Sequence, residues 1–318
     1  MVIPPRLVPR AGPNVWTGAT MLPSHWMLPV GGEAAAELLA VAASLGGARP
    51  ERREDAPMPR LGPVLREAAD RLENGAGFAL LRGLAADRFT PETARAALLA
   101  VAAHLGAALP QDADGALVAP PKRSTGQLLA EPADAVAMFC LRTLPEGEAV
   151  LLHSAASLHN ELMRRDRAAL AALHAPLPHR RRNSSAEPMM LPVFCSPGGA
   201  FVGRYDRAAV VDALLDPAQA AAVAALDAAA AAPGQALAIP LRAGDLLLLN
   251  PHLVWRRCSA PPERADDAAG PPRVLGAWLS TRTSRALPES FRPIFGETAA
   301  GAYRGGVPIG THPGMVGG

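Results

Sequence analysis

The stretch 244-GDLLLLNPHLVWRRCSA-260 constrains the fold more than any other part of the chain. A Gly-Asp turn launches a continuous apolar run that reads as a core strand over about 245–256. The same strand then carries Trp255-Arg256-Arg257-Cys258, so two adjacent arginines stand at the end of a segment built for burial. Burial of that kind calls for further apolar strands, and the sequence supplies them at 77–83, 134–142, 149–154, about 236–241 and 273–281.

Helical segments wrap these strands. Residues 33–45 and 63–75 show helical spacing and end at glycines, and Thr90-Pro91-Glu92 opens a helix running to about His104 with an N-cap and a first-turn proline. Residues 155–174 predict two short helices broken near Arg165-Asp166, and 217–234 a further helix. Short strands near 192–196 and 200–204 flank Gly198-Gly199, a hairpin signal. Helices and strands do not alternate regularly enough for a doubly wound sheet. The expectation is a Pro/Gly-rich arm over 1–32 pinned by Trp16 and Trp26, one domain over 33–306, and a tail over 307–318.

Composition excludes several functions. Net charge is +2 with acids and bases interspersed, which argues against a nucleic-acid surface. Lys122 is the only lysine among 31 basic residues, a bias of coding and not of chemistry. The basic run 179-HRRRN-183 reads as a solvated loop. Cys140, Cys195 and Cys258 are too widely spaced for a Cys-x-x-Cys metal site and predict buried free thiols in a reducing compartment. The proline-broken N-terminus is not a signal peptide, and no apolar run approaches membrane-spanning length, so a cytoplasmic location is expected.

Several stretches, taken in order, resemble the TauD/TfdA-type Fe(II)/2-oxoglutarate-dependent dioxygenases. They are 13-PNVWTG-18, 75-GAGFALLRGL-84, 134-DAVAMFCLR-142 with 154-SAASLHNEL-162, 204-RYDR-207, 244-GDLLLLN-250 and 278-WLSTRTSRALP-288. The resemblance implies a mixed α/β (α+β) fold, a double-stranded β-helix or jelly-roll barrel with peripheral helices. It also implies an Fe(II) ion held by His-x-Asp/Glu and a distant His, with open positions for 2-oxoglutarate and oxygen.

In this chain the positions that correspond are altered. The His-x-Asp position falls on 123-RST-125, so Arg123 and Thr125 replace a histidine and a carboxylate, and Arg256 replaces the distal histidine. The arginine that would pair with 2-oxoglutarate corresponds to Gly276, with Arg273 three residues away on the other face of a strand. The one His-x-Glu, 159-HNE-161, lies on a helix, where residues two apart point away from one another. A guanidinium has no lone pair for a metal. The expectation is therefore a divergent member without the iron triad, a pseudoenzyme candidate that binds a small, anionic molecule through Arg123 and Arg256 or works without metal. No cofactor is assigned; Fe(II) and 2-oxoglutarate follow from the resemblance alone.

Two alternatives stand beside this. An oxidoreductase with unusual metal or haem ligation would draw on His252 and His153, with Asn250 and Cys258 as further pocket residues. A scaffold would use the barrel to pair with a copy of itself or with a related subunit.

Overall fold

The computed structural model of the chain describes residues 7–122, 126–181, 187–259 and 272–310. The first half contains β1 (Met27–Pro29), α1 (Gly32–Ser44), α2 (Gly62–Glu73), β2 (Phe78–Arg82), α3 (Pro91–Leu105), β3 (Ala107–Leu109), β4 (Val118–Ala119), β5 (Ala135–Cys140) and β6 (Val150–Ser154). Then come α4 (Ala155–Arg165), α5 (Arg167–His174), β7 (Leu177–His179), β8 (Met189–Leu191), β9 (Phe194–Cys195) and β10 (Val202–Gly203). The chain closes with α6 (Pro217–Ala231), β11 (Leu237–Ile239), β12 (Asp245–Leu249), β13 (Val254–Cys258), β14 (Val274–Ser280) and α7 (Arg292–Phe295).

Local chemistry sets several of these ends. The Thr90 hydroxyl accepts the Thr93 N–H, and Pro91 fills a first-turn position whose missing N–H costs nothing, so α3 starts there. The Asp166 side chain accepts the Ala169 N–H, which ends α4 and starts α5 at the expected break.

The strands form two principal sheets. One is seven-stranded, in the order β1-β2-β12-β5-β14-β3 with β4 also on β14, and antiparallel apart from β1 beside β2. The other is β11-β6-β13, extended by a bridge between Leu129 and Arg256. Among the described residues the strands thus make facing sheets and do not close into one ring.

The two-residue period of a strand explains why β12 is apolar throughout. Leu246 and Leu248, with Ala79, Leu81, Ala137 and Phe139, join the core shared with α1, α2 and α3. Leu247 and Leu249, with Phe78, Leu80, Val136 and Met138, share the other core with Val150, Leu152 and Val254 of the smaller sheet. A polar residue on either face of β12 would be buried.

The single strand expected over 245–256 is in fact two, in different sheets. Pro251 has no N–H for a ladder, and Asn250 turns the chain by accepting the His252 N–H on Oδ1 at 2.9 Å and the Leu253 N–H on its carbonyl at 3.0 Å. The basic run is also not wholly a loop. His179 ends β7 at 2% exposure with Nδ1 2.9 Å from the Leu177 carbonyl, while Arg180 and Arg181 are exposed; 182–183 lie outside the described residues. Cys140 is buried, whereas Cys195 and Cys258 are partly exposed, and all three are free thiols.

Segments near both ends of the described residues are joined to the body. β1 pairs with β2, and Val307 is buried with its N–H on the Pro110 carbonyl. Trp16 and Trp26 do anchor the arm: their rings lie 5.2 and 5.8 Å from Phe78, and Trp16 Nε1 donates to the Ala76 carbonyl at 2.8 Å. Truncation of Trp16 to alanine is expected to cost about 3–5 kcal/mol in denaturant unfolding. A loss below about 1 kcal/mol would mean that the arm is an appendage.

Candidate functional site

Arg256 lies on β13 opposite Leu152 of β6, and β13 also pairs with Leu129 through its backbone. Alternation places Arg256 on the face that Val254 shares with the larger sheet, while Trp255 faces the helical side against Phe194 and Tyr205. Its side chain is 1% exposed. There Nε donates to Glu131 Oε1 at 2.5 Å, Glu131 being 2% exposed, and Nη2 donates to the Lys122 carbonyl at 3.2 Å. Arg256 Nη1 and Glu131 Oε2 have no hydrogen-bond partner among the described residues. Arg256 is therefore buried, and Glu131, a carboxylate that sequence reasoning missed, lies against it.

Gly276 is in β14, directly between Ala119 of β4 and Met138 of β5, and its carbonyl accepts from Gln111 Nε2 at 2.8 Å. A Cβ there would meet the Ala119 carbonyl at 3.4 Å and Pro121 Cβ at 3.6 Å, the approach to Lys122. Arg123 and Thr125, the other two corresponding positions, lie outside the described residues. Arg273 precedes β14, and its Nη1 donates to the Thr143 carbonyl at 3.3 Å. Cys258 closes β13 opposite Val150, partly exposed.

The two candidate histidines have separate surroundings. His153 pairs with Trp255 in the ladder and so takes the face opposite Arg256; it is 1% exposed, and neither ring nitrogen has a partner among the described residues. Burial, with Arg257 nearby, pushes its pKa down to about 3. His252 sits in the turn after β12 and not on the strand that carries Arg256. It packs against Phe295 with Nε2 3.5 Å from Asp134, and burial lowers its pKa to about 4 despite that carboxylate. Asn250 donates to Glu73 Oε1 at 3.1 Å and helps form the same turn. His159 and Glu161 diverge as the helix requires: His159 is fully buried with Nε2 3.2 Å from His174 Nε2, and Glu161 pairs with Arg164 and Arg165.

A second buried charge cluster closes the sandwich where β5 begins and β14 ends. Arg304 donates to Asp134 Oδ1 through Nε at 2.8 Å, and its Nη2 lies 2.7 Å from the same oxygen, with neither side chain exposed. Burial works to raise the Asp134 pKa, but His252 and Arg304 outweigh it and hold the carboxyl below its usual range. Among the described residues no three His, Cys, Asp or Glu side chains are grouped to hold a metal ion.

An asparagine oxygenase in complex with Fe(II), 2S,3S-3-hydroxyasparagine and succinate matches 87% of this chain and 99% of its own, with a TM-score of 0.62 and 20% identity. A second structure of asparagine oxygenase matches at TM-score 0.60 and 21% identity over 88% of this chain and 99% of its own. The non-heme iron oxygenase OrfP, in complex with Fe and alpha-ketoglutaric acid, matches 80% of this chain and 94% of its own at TM-score 0.60 and 17% identity. The fold is that of the non-heme iron oxygenases. No family model and no curated protein matches the chain.

Two measurements test the electrostatics of these sites. Arg256→Met alone strands a buried carboxylate and is expected to cost about 3–5 kcal/mol of stability, most of it regained in Arg256→Met/Glu131→Leu. A double variant no more stable than the single one would mean that the pair is not coupled as described. The pH response has a definite sign. His153 has its pKa lowered to about 3, and His159, His174 and His252 to about 4, each by burial. Below about pH 6.5 the unfolded chain takes up protons that the folded chain refuses, so stability falls toward pH 4 by up to about 1.4 kcal/mol per pH unit per histidine. Denaturant melts at pH 7.0, 5.5 and 4.5 should trace this, and His153→Leu should flatten the slope.

Proposed function

We propose that this chain carries the non-heme iron oxygenase fold without its iron chemistry and acts as a small-molecule binding protein, with an anionic ligand as the class its arginines suit. The observation that carries this reading is the buried Arg256–Glu131 pair. By the sequence resemblance Arg256 stands where the distal iron-binding histidine belongs. An Fe(II) ion there needs a lone pair, and a guanidinium stays protonated and has none to give. The residue that could supply a carboxylate, Glu131, already accepts from Arg256. The residues present do not fit the metal.

The co-substrate position supports the same reading. Gly276 offers no guanidinium to the far carboxylate of 2-oxoglutarate, and Arg273 is engaged with the Thr143 carbonyl outside this face. Oxidation by an unusual metal or haem site has little to build on, since His252 and His153 occupy different surroundings. A scaffold role is the second reading, and one observation favours it: Arg256 and Glu131 bury their charges against each other instead of facing an open cavity.

The deciding experiment adds Fe(II) and 2-oxoglutarate anaerobically to chelator-treated protein, follows the visible charge-transfer band of a ternary complex, and then assays succinate after oxygen is admitted. The expected result is no band, no stoichiometric iron after desalting, and no succinate above the protein-free rate. Stoichiometric iron with 2-oxoglutarate-dependent succinate release would overturn the proposal.

A further inference from the structure

A cleft of about 500 Å³ lies between the N-terminal arm and the body, and neither Arg256 nor Gly276 lines it. Its walls include Arg10 and Asn14 from the arm, Glu73 from the end of α2, Phe201 from the loop before β10, and Thr283 and Arg285 beyond β14. The volume lies within the range of small-molecule sites.

Two guanidiniums converge on Phe201. Arg285 Nη1 donates to the Phe201 carbonyl at 2.7 Å, and the Arg10 guanidinium lies 4.8 Å over the Phe201 ring. The arm is fixed at this point because Asn160 accepts the Arg10 N–H at 2.7 Å and donates to the Arg10 carbonyl at 2.9 Å. The two cations are not equally compensated. Arg285 Nη2 pairs with Glu73 Oε2 at 2.8 Å, and the other Glu73 oxygen accepts from Asn250. Among the described residues the Arg10 guanidinium has no carboxylate and no hydrogen-bond acceptor, and the buried Nε atoms of both Arg10 and Arg285 lack partners.

A pinned, partly buried cation without a counter-charge is costly unless an anion joins it. A guanidinium also presents donors in a planar fork that matches carboxylate and phosphate oxygens. We propose that this cleft is a binding site for a small oxyanion, a carboxylate or phosphate group, held by Arg10 and Arg285 with Asn14 and Thr283 at its rim. Phe201 gives the ligand's organic body an apolar wall. The site is separate from the Arg256 region and does not depend on the fate of the iron position.

The test uses the full chain with 4-bromobenzoate as the carboxylate probe and inorganic phosphate as its competitor. Calorimetric titration is expected to give saturable binding of 4-bromobenzoate that weakens at least tenfold in Arg10→Gln and with added salt. Arg10→Gln keeps the backbone contacts to Asn160. Displacement by phosphate would make the cleft a general oxyanion cradle, and failure to displace would make it carboxylate-selective; both fit the proposal. Crystals of the unmutated protein soaked with 4-bromobenzoate give a readout that does not rely on a variant. An anomalous bromine signal between Arg10 and Arg285 supports the assignment. A signal beside Arg256 would overturn it while leaving the anion-binding function proposed for the chain in place. Absence of saturable heat, or equal binding by Arg10→Gln, would also overturn it.

Discussion

Arg304 and Asp134 meet with neither side chain exposed, and much of the molecule is organised around that contact. Removing two charges from water is costly, and the cost is offset only when every donor and acceptor is met. Here it is: Arg304 also donates to the carbonyls of Thr298, Ala299 and Arg285, and Asp134 accepts the Thr281 N–H at 3.1 Å. One pair thereby joins the start of β5, the end of β14 and the C-terminal segment. The same clasp holds the Arg285 carbonyl, beyond the end of β14, and so helps to place the Arg285 side chain at the cleft beside Arg10.

Three arginines, two of them buried and one partly buried, make an instructive series. Arg304 is fully satisfied and behaves as structure. Arg256 is half satisfied, with a carboxylate on Nε and no partner for Nη1 among the described residues. Arg10 has no acceptor at all for its guanidinium among them, only an aromatic face. Fold stability weighs most heavily on the first and ligand chemistry on the last. Arg256, which drew attention in the sequence, falls between the two.

Much of the fold was legible because its signals are local. The run of leucines in β12, the Thr90-Pro91 start of α3 and the break at Asp166 each depend on residues a few positions apart. The divergence of His159 and Glu161 followed from helix geometry alone. The partners of the buried charges left no such trace. Glu131 and Arg256 are separated by 125 residues, and Asp134 and Arg304 by 170, so no period or motif connects them. Asn250-Pro251 falls within the expected strand because the apolar pattern continues through Leu253 and Val254, although proline there is itself a turn signal. Strands of two or three residues, such as β4, β7 and β8, are too short to show a period. The cleft beside Arg10 was invisible for the same reason as the charge pairs, since its walls come from four separate segments.

The bias against lysine acquires a use once Lys122 is placed. Its backbone carbonyl accepts from Arg256 Nη2, while the residue itself is exposed. In a chain with 31 basic residues this is the sole ε-amine. An amine-selective fluorophore directed away from the α-amino group would therefore report from one place only, the segment against the buried Arg256–Glu131 pair. Composition, uninformative about chemistry, has left the protein with a single-site reporter next to its most unusual residue.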